Sequence, residues 1–136
     1  MGLVVARRLR EALPESVEVL EREGEPTGLI ETWADAGALW LVDAVSSGAE
    51  PGTVHRVDAS HGDLPERFGR GSTHHFGLGE TVAMARALRR LPDRVVVFGI
   101  EGEQFELGDE LTPRVQSAVA EVVRAVIAEV QAATER

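Results

Sequence analysis

Apolar residues recur with a helical period at both ends of the chain and run almost unbroken through two short stretches between. Near the start, Val5, Leu9 and Leu13 fall four apart with Ala6 and Ala12 beside them, while Arg7, Arg8 and Arg10 face elsewhere. This spacing predicts an amphipathic helix over 3–13, ended by Pro14. Near the other end, Thr112-Pro113 supplies an N-cap and a first-turn proline. Val115, Val119, Val122, Val126 and Val130 then give the last helix a continuous apolar stripe. Leu39-Trp40-Leu41-Val42-Asp43-Ala44-Val45 and Arg94-Val95-Val96-Val97-Phe98-Gly99-Ile100 are nearly continuous in apolar character. That is the mark of strands covered on both faces. Residues 16–20 and 53–57 alternate and read as shorter strands, the second at an edge. Thr27 is placed to cap a short helix through about Ala36. Met84, Leu88 and Leu91 share one face of a helix over 79–91, which Pro92-Asp93 breaks. Helices alternating with strands predict an α/β layer fold.

The length of 136 residues fits a single domain over 1–136, with no internal repeat or linker. No apolar run approaches the roughly 18 residues of a membrane span. The charges of Arg7 and Arg8 fall where a secretory signal needs its apolar stretch, and with no cysteine in the chain a cytoplasmic location is expected. The net charge is −9, every basic residue is Arg, and Lys is absent. Such a chain repels phosphates, which argues against nucleic acid and anionic membranes as partners. The absence of cysteine removes disulfide scaffolds, thiolate metal sites and cysteine nucleophiles.

Candidate chemistry gathers in a few places. Asp43 is the one polar residue of its strand and stands near the C-terminal end, where ligand crevices of α/β sheets lie. A carboxylate there is expensive unless paired. It reads as a metal ligand or acid/base group, or else as a cap for the next loop's N–H groups. His74 and His75 sit in a long loop over 59–78 that holds three of the four histidines. Loops of this length are commonly functional or mobile, and histidine is the commonest metal ligand. The competing reading leaves both histidines facing solvent. His61 is a weaker candidate, and His55, on an alternating strand, reads as a surface residue. Glu101, Glu103, Glu106, Asp109 and Glu110 read as a solvated acidic loop after Ile100. The marks of serine hydrolases, P-loop NTPases, dinucleotide enzymes and classical zincins are missing.

Several segments, in order, resemble the hydrogenase maturation proteases. Gly2-Leu3-Val4-Val5-Ala6-Arg7-Arg8-Leu9 looks like the first helix of that family, and Gly24-Glu25-Pro26-Thr27-Gly28-Leu29-Ile30 like its glycine-containing loop. Leu41-Val42-Asp43-Ala44-Val45 looks like the strand with its second metal-binding carboxylate, followed by the short strand in Pro51-Gly52-Thr53-Val54-His55-Arg56. Ser72-Thr73-His74 with Phe76-Gly77 resembles the segment bearing its metal-binding histidine. Phe98-Gly99-Ile100-Glu101, Phe105-Glu106-Leu107-Gly108 and Leu111-Thr112-Pro113 resemble its C-terminal signature.

The resemblance covers essentially the whole chain. It implies a three-layer α/β/α sandwich around a mostly parallel sheet. It also implies an endopeptidase that removes a C-terminal extension from the nickel–iron hydrogenase large-subunit precursor once nickel is inserted. Asp43 and His74 match the family's metal-binding residues and become the expected catalytic and metal-contacting pair, the nickel being carried by the precursor. His75 falls where the family has a small or variable residue. The family's opening strand and the carboxylate-bearing turn after it have no counterpart here. A late-assigned start, a truncation and a partner strand, as from a second copy in a homodimer, each account for that. The rival expectation is a non-catalytic module that docks on the precursor or a nickel-delivery partner.

Overall fold

The computed structural model describes residues 2–14, 17, 19, 26–34, 36–45, 47–62, 64, 78–102 and 112–134. Helix α1 spans Gly2–Ala12 and α2 spans Pro26–Trp33. Strand β1 spans Ala38–Val45 and β2 Val54–Asp58; α3 follows at Leu78–Ala87, β3 at Arg94–Glu101 and α4 at Pro113–Thr134. The strands form one sheet in the order β1-β3-β2. β1 runs parallel to β3, and β2 runs antiparallel to it. The described sheet is therefore mixed, and its antiparallel member is the edge strand that alternation indicates.

Alternation along β3 sorts the helices into two layers. Val96, Phe98 and Ile100 pack with Val5 and Leu9 of α1 and with the α4 stripe Val115, Val119, Val122, Val126 and Val130. Val95 and Val97 face the other way, against Ile30 and Trp33 of α2 and Val82 and Ala85 of α3. Successive strand side chains point to opposite faces, so one strand seals two cores. The three-layer α/β/α arrangement follows. Among the described residues, no helix is long and apolar enough to cross a membrane.

Several elements depart from the sequence pattern. α2 begins at Pro26 and ends at Trp33, so Thr27 lies inside the helix rather than capping it. Proline suits a first helical position because its missing N–H has no partner there anyway. α3 stops at Ala87, and Arg89 adopts a left-handed backbone with φ of 57°. Its buried side is Thr81, Val82 and Ala85, whereas Met84 and Leu88 are exposed. The smaller residues take that face: Val82 and Ala85 join Val95 and Val97 in one buried cluster. The strand expected over 16–20 lies largely outside the described residues. Val17 and Val19 are described, lie in no strand, and pack against the α1/α4 core. The helix α4 begins as its cap predicts, with the Val115 N–H 3.4 Å from the Thr112 hydroxyl.

Candidate functional site

The carboxyl ends of the parallel strands β1 and β3 carry the polar groups. In register, Asp43 of β1 and His55 of β2 both pair with Gly99 of β3, one from each side. Residues paired across a sheet project from the same face. Asp43, Gly99 and His55 therefore form one row across the sheet, on the α2/α3 side, with no β3 side chain between the outer two. The rows before it are apolar: Leu39 beside Val95, then Leu41, Val97 and Val57. Two residues past Gly99, Glu101 projects from the same face and pairs with Val45.

Asp43 is half-buried, and its Oδ1 accepts the Ala44 N–H at 2.9 Å. Ala44 lies within β1, so this bond is not a cap of the loop that follows. Glu101 is 2% exposed and is the last residue of β3. Its carboxylate accepts the Ser47 N–H at 3.0 Å and the Ser47 hydroxyl, and it contacts His55 Nε2 at 3.1 Å. An ionised carboxylate only accepts, so Nε2 is assigned the hydrogen. Three donors offset the desolvation that a lone buried carboxylate would suffer.

Backbone pairing fixes the same rim. The Gly52 N–H donates to the Glu101 carbonyl at 2.8 Å, and the Glu101 N–H donates to the Thr53 carbonyl at 2.9 Å. Gly52 holds φ of +86°, and a Cβ there would stand 2.8 Å from the Arg114 carbonyl oxygen. Only glycine fits both the backbone and the close approach.

Two expectations are overturned here. Glu101 is not part of a solvated acidic loop; β3 runs one residue further than its apolar stretch and buries it. His55 is not a surface residue, since its side chain is 15% exposed and tied to Glu101. The missed signal is alternation carried past the apolar run: Val95, Val97, Gly99 and Glu101 all share one face. His61 is exposed, in keeping with its weaker standing. His74, His75, Glu103, Glu106, Asp109 and Glu110 lie outside the described residues, so of the expected pair Asp43 and His74 only Asp43 is placed. His74 precedes α3 by four residues in sequence, and α3 packs on the Asp43 face. Among the described residues, no group of three or more His, Asp or Glu is arranged to hold a metal ion.

A family model described as hydrogenase maturation protease matches residues 3–129. The chain is 31% identical over 132 residues to the hydrogenase expression/formation protein HupD of Rhodobacter capsulatus, covering 90% of this chain and 62% of that protein. It is 30% identical over 114 residues to HupD of Bradyrhizobium diazoefficiens, covering 82% and 58%. The chain thus spans less than two-thirds of the length of these relatives. The hydrogenase maturating endopeptidase HybD of E. coli shares the fold at a TM-score of 0.80 and 24% identity, over 97% of this chain and 83% of that one.

Proposed function

This chain belongs to the hydrogenase maturation protease family, and from that premise we propose that it is an endopeptidase removing the C-terminal extension of a nickel–iron hydrogenase large-subunit precursor. The observation that carries the reading is the match over residues 3–129, which spans the polar row. Asp43 and His74 are the proposed functional pair. In this reading the nickel belongs to the substrate: it arrives in the precursor, and a carboxylate and an imidazole on the protease meet it. Both are ordinary ligands for such an ion, and the chain has no cysteine to offer instead. Contact with the metal identifies a loaded precursor and brings the peptide to be cut against the carboxyl ends of β1 and β3. The chemistry is addition of water across one peptide bond.

The test is incubation of the chain with nickel-loaded precursor, with release of the C-terminal peptide followed by mass spectrometry. Release by the wild type, with none from Asp43→Ala or His74→Ala, supports the reading. Binding without release would make the chain a docking module. Normal release by either variant would remove the role given to that residue.

A further inference from the structure

We propose that His55 is a further substrate-contacting residue of the Asp43 site, and that Glu101 is the positioning residue that holds it there. The proposal rests on the protease reading above and names a part of the same site. His55 and Asp43 stand in one row, on one face, on either side of Gly99. Two strand spacings put their backbones about 10 Å apart. A carboxylate and an imidazole on the two sides of such a row can flank one small polar group of a substrate. Gly99, itself buried, contributes no side chain between them. A peptide unit of the segment being cut has the size and the hydrogen-bonding groups for this place.

Packing alone does not explain the cluster. The preceding residues on this face of β3 are Val95 and Val97, and an aliphatic residue at 101 would continue that layer without needing partners. Replacing buried charged groups by apolar ones of similar size is often neutral or stabilising. Instead the chain buries a carboxylate and supplies it with the Ser47 N–H, the Ser47 hydroxyl and the His55 ring. A carboxylate on one ring nitrogen fixes the tautomer and orientation of an imidazole, as it does behind catalytic and metal-binding histidines. Ser47 lies on the loop that follows Asp43, so the one carboxylate ties both flanks of the row.

The experiment is a double-mutant cycle on cleavage of nickel-loaded precursor, with Asp43→Ala as the inactive control. His55→Ala is expected to lower kcat/KM at least tenfold per folded molecule, beyond the stability lost by taking one donor off the buried Glu101 carboxylate. Glu101→Ala is expected to fall to the same level. The double variant is expected to be no slower than His55→Ala, because Glu101 acts through His55. Glu101→Gln is expected to recover most of the rate, since Ser47 and His55 both contact Oε1, where an amide oxygen accepts from each and leaves the His55 tautomer unchanged. It also serves as the folded reference if Glu101→Ala does not fold. Wild-type rates from His55→Ala, with Asp43→Ala inactive, would overturn the proposal and leave the protease reading standing. Additive losses in the double variant would overturn the role of Glu101. A wild-type chain that cuts no precursor would overturn the protease reading, and this proposal with it.

Discussion

The two faces of β3 share one backbone and end differently. On the α1/α4 side, Val96, Phe98 and Ile100 stay apolar to the strand's end and are 0–2% exposed. On the α2/α3 side, Val95 and Val97 give way to Gly99 and Glu101, in line with Asp43 and His55. The first face seals a long helix whose valine stripe runs nearly its full length. The second stays buried at that end but turns polar. On the proposed reading, stability and chemistry are divided by strand alternation rather than by distance along the chain. Neighbouring residues such as Phe98 and Gly99 serve opposite ends.

That division can be broken from either side. Phe98→Ala leaves a cavity between β3 and the α1/α4 layer and is expected to lower stability by about 3–5 kcal/mol. Denaturant unfolding would measure it, and the cleavage rate per folded molecule should hold. Asp43→Ala should do the reverse, with cleavage lost and the unfolding midpoint little moved. If both variants lose rate and stability together, the two faces are not separable. Gly52→Ala comes next, since it meets the Arg114 carbonyl and forces a positive φ on alanine. A loss of about 1–3 kcal/mol is expected. It should also slow cleavage, because Gly52 pairs with Glu101, and a loss of stability alone would detach this turn from the site.

The smallest effect belongs to the α4 face, where Arg56 grips Glu129 in a fork with contacts of 3.1 and 2.7 Å. The Arg56 hydrogen bonds, chiefly, hold the Glu129 carboxyl below its ordinary value, against the opposing effect of burial. The Trp40 indole adds a weaker lowering influence, although its Nε1 has no hydrogen-bond partner at normal distance. A depressed carboxyl stabilises the fold above its unfolded pKa, and that contribution is lost as pH falls through the folded value. Glu129→Gln is expected to cost about 0.2–1 kcal/mol at neutral pH. The gap from wild type should close on acidification toward pH values below about 4, where an unfolded glutamate is itself protonated. Melting curves at several pH values would show it, and cleavage should be unaffected because the pair lies on the face away from Asp43. A gap that persists unchanged in acid would mean that the pair adds packing and no charge stabilisation.

How far the sequence told the two faces apart depends on the element. The α4 stripe is legible because valines spaced three and four apart have one reading, and Thr112-Pro113 marks the start. Asp43 is legible because it interrupts an apolar strand near its end. Glu101 is not, because an acidic residue at the head of an acidic stretch looks solvated until the register of β3 is known. His55 hides for the same reason: a histidine on an alternating edge strand gains meaning only when Gly99 and Glu101 stand beside it. The α3 face is not legible, because Met84 and Leu88 outweigh Thr81, Val82 and Ala85 in apolar size although the smaller set is the buried one.

The Glu101 clamp has a consequence for how the rim moves. The amides of Ser47 and Gly52 lie in a connecting turn, yet both donate to the end of the central strand. A turn tied in this way opens only when that strand gives up its partners. Its amides should then exchange with solvent on the slow timescale of the sheet rather than the fast one of surface loops. That part of the rim is expected to open only with the core, and so to hold its shape before anything binds.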